Sequence, residues 1–176
     1  MAVTDAGWEV INRQPAPARG WYLNLRTWRQ YERVWAGHPY PVTLPSNNIV
    51  ALDRALDRIF AEGLEARYER HRAAAAFLRE GLERLGFTLF ADRRWASPTV
   101  TVAYPPEGVQ VRALIEALRV QHRISVAGGL EHLTGRVIRI GHLGNQATLE
   151  MMRRFLAALE ASLKTYPKKL SSHAIL

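Results

Sequence analysis

The feature that most limits what this chain can fold into is a change of hydrophobic period near residue 86. Before it, Ile49, Leu52, Leu56, Ile59 and Phe60 recur at helical spacing, and Leu64, Phe77, Leu78, Leu82 and Leu85 continue the pattern beyond Gly63. Ser46 or Asn47 is positioned to cap the first helix with a side-chain oxygen, and Gly86 to end the second. After residue 86 the texture becomes short β-branched or aromatic runs at 87–90 and 98–104, with Pro105, Pro106 and Gly108 making a turn. A short amphipathic helix follows over 109–122, then strands over 124–126 and 136–140 around a loop at 127–135. A last helix over about 147–164 carries Leu149, Met152, Phe155, Leu156, Leu159 and Leu163 on one stripe. Long helices, two strands, helix, two strands, helix predicts an α+β architecture: a mostly antiparallel sheet of about four strands with helices on one face. Residues 1–45, broken by Pro15, Pro17, Pro39, Pro41 and Pro45, read as irregular, with short helices expected over 6–12 and within 21–35.

Composition narrows the chemistry. Cysteine is absent from all 176 residues, so there is neither a disulfide framework nor a thiolate metal site, in keeping with a reducing cytoplasm. The first ten residues lack the basic-then-apolar pattern of a secretory signal, and no apolar run nears the roughly 20 residues that span a bilayer. The formal charge of +8 is spread thinly as arginine and reads as a solvated surface rather than a nucleic-acid or membrane stripe. The only lysines are Lys164, Lys168 and Lys169. His38, His71, His122, His132, His142 and His173 show no metal-ligand spacing. There is no GxSxG elbow and no GxxxxGK[ST] loop.

Three places bear on binding. Arg139 lies in the apolar run Arg136-Val-Ile-Arg-Ile140, alternating onto the face of Val137; it either finds an anionic partner or reaches solvent. Tyr40 and Thr43 sit in a proline-stiffened loop just before a helix N-terminus, where their hydroxyls are either phosphate donors or ordinary linker polarity. Gly128 and Gly129 alone read as a turn.

Taken in order, several segments resemble the alanine–glyoxylate / serine–pyruvate branch of the class V, pyridoxal-phosphate-dependent aminotransferases, over their C-terminal portion. They are Gly20-Trp-Tyr-Leu-Asn-Leu25, Pro39-Tyr-Pro-Val-Thr-Leu-Pro45, Glu62-Gly-Leu-Glu65 with His71-Arg72, Ser97-Pro-Thr-Val-Thr101, Val126-Ala-Gly-Gly-Leu130 and Gly135-Arg-Val-Ile-Arg-Ile-Gly141. The resemblance implies the small domain of a fold-type I enzyme. It divides the chain into a large-domain remnant with a dimer-facing loop (1–45), linking helices (46–86), a small domain (87–166) and a polar tail (167–176). It implies that Arg139 binds the α-carboxylate of an amino-acid or keto-acid substrate, with Gly128 and Gly129 beside it. Tyr40 and Thr43 would reach the phosphate of the partner subunit's pyridoxal phosphate in a homodimer. The lysine that forms the Schiff base, and the aspartate that pairs with the pyridinium nitrogen, would lie upstream of the matched region. The chain then contains no catalytic residue and is expected to be inactive alone, with no metal, nucleic-acid or membrane partner. Two other readings stand beside it: an interaction domain reusing the small-domain fold, and a basic nucleic-acid module built on Arg26, Trp28, Arg29, Arg33 and Trp35.

Overall fold

A computed structural model describes residues 2–15, 20–35, 37–38 and 40–165. The expected tail 167–176, with Lys168, Lys169 and His173, lies outside the described residues, as do Pro17 and Pro39. The chain forms two compact units, Met1–Arg58 and Ile59–Leu176.

The first unit holds α1 (Asp5–Arg13), α2 (Leu25–Val34) and most of α3 (Ser46–Glu62). Thr4 caps α1 by accepting from the Gly7 amide at 3.2 Å, and Asn24 caps α2 by accepting from that of Arg26. The Arg26 guanidinium closes the other end of α1, donating to the Asn12 and Gln14 carbonyls at 3.0 and 2.6 Å. Side-chain-to-backbone bonds hold the loops: Trp21 Nε1 donates to the Pro41 carbonyl and Trp28 Nε1 to that of Tyr22. None of the described residues of α1, α2 or α3 is buried. The expected side-chain cap on α3 does not form. The Pro45 carbonyl accepts from the Asn48 and Ile49 amides, and Ser46, already helical, turns its hydroxyl back to donate to Leu44.

The second unit contains the core. Gly63, at φ +82°, separates α3 from α4 (Leu64–Arg84), a backbone conformation that favours glycine. The sheet comprises β1 (Thr88–Leu89), β2 (Val100–Tyr104), β3 (Ala127–Gly128) and β4 (Ile138–Gly141). Its order is β1-β2-β4-β3, every pairing antiparallel. With α5 (Val111–His122) and α6 (Leu149–Thr165), the helices cover one face. Leu78 and Leu82 of α4, Leu114 and Leu118 of α5, and Phe155 and Leu159 of α6 pack on Ala103, Ile138 and Ile140. Gly81 permits the closest approach of α4 to α6: a Cβ there would lie 2.2 Å from Leu156 Cδ1.

The strand expected over 124–126 forms instead at Ala127–Gly128. The C-terminus of α5 explains the shift. Arg123 adopts the left-handed conformation (φ 55°, ψ 36°), and the Ile124 amide donates back to the Leu118 carbonyl at 3.0 Å, so Ile124 belongs to a helix cap rather than to a strand.

Candidate functional site

The antiparallel register sets Arg139 of β4 between Val102 of β2 and Ala127 of β3. Ile138 and Ile140 point into the helical core, so the pleat turns Arg139 to the opposite, open face of the sheet. Its side chain is half-buried and anchored, with Nε donating to the Gly128 carbonyl at 2.7 Å. Neither terminal nitrogen has a partner among the described residues. The guanidinium is thus oriented through one N–H, with a two-pronged donor edge left for an anion, the arrangement suited to a carboxylate. The second glycine shapes the adjoining loop. Gly129 donates to the Val137 carbonyl at 3.2 Å and packs so tightly on Leu133 that a Cβ would sit 2.1 Å from the Leu133 carbonyl oxygen.

Of the residues singled out from the sequence, Arg139, Gly128 and Gly129 come together at this sheet edge. Tyr40 and Thr43 lie in the other compact unit. The Tyr40 ring is half-buried, its centroid 4.5 Å from that of His38, and Thr43 is exposed just ahead of α3. The aromatic and basic side chains of α2 are partly committed elsewhere: Arg26 closes α1, and Arg29 lies 4.4 Å from the centre of the Trp8 ring. Among the described residues no group of His, Asp and Glu is arranged to hold a metal ion, and no helix is long and apolar enough to cross a membrane. Lys164 is exposed on α6 and paired with Glu160 at 2.7 Å.

Sequence reasoning missed the supports of the turn that follows β4. Glu62 pairs with Arg67 and Arg70, and Arg70 Nη1 donates to the carbonyls of Gly144 and Ala147 at 2.9 and 2.8 Å. His71 Nδ1 donates to the Arg67 carbonyl, and its Nε2 accepts from the Gly144 amide at 3.1 Å, which fixes the neutral tautomer. The hydrogen bond from Arg70, reinforced by Arg67, holds the Glu62 carboxyl down at about 2 against partial burial. Glu62 and Arg70 are eight residues apart across the Gly63 break, outside the i,i+3 and i,i+4 spacings of a helix, so neither this pairing nor the reach to 144–147 carried a sequence signal.

Behind the strand, His142 is fully buried, with Nε2 at 2.9 Å from Thr101 Oγ1 and Nδ1 without a hydrogen-bond partner among the described residues. Burial, and then the Arg79 guanidinium, push the imidazole down from 6.5 to about 4. The unfolded chain therefore binds a proton that the folded chain refuses between these values. Stability from this group is complete above pH 6.5 and is lost as pH falls toward 4. Urea unfolding at pH 7.5 and 5.0 is expected to show a loss of about 2 kcal/mol that disappears in His142→Leu. An unchanged pH slope in that variant would remove His142 as the cause.

No protein-family model matches the chain. An aminotransferase of Methanocaldococcus jannaschii is 39% identical over 165 residues, 93% of this chain and 42% of the relative. A pyridoxamine–pyruvate transaminase of Mesorhizobium japonicum is 31% identical over 173 residues, 97% of this chain and 43% of the relative. The solved structure of an alanine–glyoxylate aminotransferase from Nostoc sp. superposes with a TM-score of 0.79 at 33% identity, covering 91% of this chain and 42% of that one. The chain thus spans about two fifths of the length of the relatives it matches. In sequence and in its α+β fold, the chain is a homologue of the C-terminal portion of the class V aminotransferases.

Proposed function

We propose that the chain supplies the substrate-gripping portion of a pyridoxal-phosphate-dependent transaminase that moves an amino group between serine or alanine and glyoxylate or pyruvate. The observation that carries this reading is Arg139. Its Nε is tied to Gly128 and its donor edge is open, so a substrate α-carboxylate docks in one orientation, presenting the reacting carbon consistently to the chemistry beside it. Relatives named for alanine–glyoxylate and serine–glyoxylate exchange support the choice of substrates.

The residues in hand fit only part of the cofactor's needs. Pyridoxal phosphate, when bound, supplies the electron sink for amino transfer. Its anchor is a lysine, and this sequence has none before Lys164, which is exposed and ion-paired. The anchoring lysine and the pyridinium partner then come from a segment outside these 176 residues. Tyr40 and Thr43 contribute hydroxyls to the phosphate of the partner subunit's cofactor in a homodimer. The organisation follows the same lines: 1–45 borders the large domain, 46–86 links, and 87–166 forms the small domain. The exposed Ile49, Leu52, Leu56 and Phe60 of α3 present apolar surface that such a large domain or second subunit covers.

The test is spectroscopic. The 176-residue polypeptide mixed with pyridoxal phosphate is expected to show no absorption band near about 400 nm, the region of a protonated cofactor–lysine linkage. Co-expression with the lysine-bearing N-terminal portion of a relative is expected to restore both the band and alanine-dependent amination of glyoxylate. A band with the polypeptide alone, or no complementation by a partner that binds it, would overturn the reading.

A further inference from the structure

The cap that displaces β3 also opens a cleft. In the register that pairs Ala127 with Arg139, Val126 would face Ile140 and Ser125 would face Gly141. The segment instead turns away with α5, and a cavity of about 330 Å³ lies between it, the end of β4 and the start of α6. It reaches Ile140, Met152 and Phe155, so it lies on the helix side of the sheet, opposite Arg139.

Its lining has a definite chemistry. Arg123, Arg154, Ser125 and Gln146 supply donors, while Met151 and Phe155 supply apolar wall; no acidic residue among the described ones lines it. Neither the Arg123 nor the Arg154 guanidinium has a carboxylate or other hydrogen-bonding partner among the described residues, whereas those of Arg67, Arg70, Arg94 and Arg119 are each paired with an acid. An adjoining cavity of about 320 Å³ shares Arg154 and is lined by His122, whose Nε2 is buried without a partner among the described residues. Arg123 also occupies a left-handed position where glycine is the least strained residue, so the backbone places a guanidinium where helix-capping physics favours no side chain.

Two guanidiniums without acidic partners lining one cleft, with a hydroxyl and an amide beside them, suit a dianion, and Arg is the residue for phosphate oxygens. The apolar wall suits a hydrocarbon or aromatic body. The absence of a lining carboxylate leaves nothing to recognise an ammonium. The volume is at the lower end of small-molecule sites, which run from about 300 Å³. We propose that this cleft is a binding site for a small phosphate monoester with an apolar body and no amino group. The inference rests on the cleft alone and stands whether or not the transaminase reading holds.

The test is a titration of the ¹⁵N-labelled 176-residue chain with phenyl phosphate at pH 7.5. Saturable shifts are expected at the amides of Ser125, Val126, Gly141 and Gln146. Arg123→Gln and Arg154→Gln are each expected to weaken binding about tenfold. Arg112→Gln, an exposed arginine of α5 outside the cleft, is expected to change nothing. Arg123→Gly relieves the left-handed strain, so its thermal midpoint is expected to hold or rise while binding falls; that separates lost recognition from lost folding. Shifts that do not saturate, equal weakening by Arg112→Gln, or equally tight binding of inorganic phosphate or phenylacetate would each overturn the proposal.

Discussion

Replacing Arg139 by alanine is expected to raise the KM for the amino-acid donor roughly a hundredfold in an enzyme assembled from this chain and a lysine-bearing large domain. The magnitude follows from removing a charge-assisted, two-pronged contact from a half-buried position, about 3 kcal/mol. Arg139→Lys is expected to recover little. A lysine keeps the charge but has neither the Nε–H that donates to the Gly128 carbonyl nor the planar fork that fixes a carboxylate. A substrate held by a single flexible ammonium also loses alignment, so kcat is expected to fall with the rise in KM. Steady-state kinetics with alanine, beside an amine donor that has no carboxylate, checks the assignment. The carboxylate-free donor is expected to be used equally by both enzymes. If alanine KM moved less than twofold in Arg139→Ala, the carboxylate would be bound elsewhere.

The sequence carried the elements built on a single periodicity. The apolar stripes of α4 and α6 emerge at Leu78–Leu82 and Met152–Leu159 because burying one helix face demands that spacing. The antiparallel sheet was legible for the same reason, through the alternation in 100–104 and 136–140. What escaped was decided by backbone bonds between distant residues. The start of β3 was misplaced because the α5 cap draws Ile124 into its own hydrogen bond, and β-branched composition reports nothing of that competition. The cleft behind it went unseen, since it exists only because the strand starts late. Arg139 was recognisable as an arginine in an apolar strand, but its Gly128 anchor depends on the β3–β4 register. The hold of Arg70 on Gly144 and Ala147 joins residues more than seventy positions apart, beyond any local pattern.

The neighbouring glycines of the Arg139 loop are expected to respond in opposite ways to one added methyl group. Gly129→Ala is expected to destabilise the second unit by about 3 kcal/mol. Its Cβ would lie 2.1 Å from the carbonyl oxygen, 2.5 Å from the carbonyl carbon and 2.8 Å from the Cβ of Leu133. Those are mostly backbone atoms in a closed turn. The Leu133 carbonyl accepts from Arg136, and the Leu133 amide donates to Leu130, so it cannot retreat without breaking bonds that shape the loop. A Cβ at Gly128 meets only Ile115 Cδ1, at 3.6 Å, an ordinary contact. Gly128→Ala is accordingly expected to stay within about 1 kcal/mol of the parent. Because the Gly128 carbonyl that orients Arg139 is bonded directly to the Gly129 nitrogen, a distorted Gly129 also misdirects the guanidinium. The stability loss and the rise in substrate KM are then expected together in Gly129→Ala, and neither in Gly128→Ala. Urea unfolding of the two variants, followed by the kinetics above, separates a glycine required for space from one that is merely present. Equal stability of the two variants would show that the Leu133 turn yields at little cost.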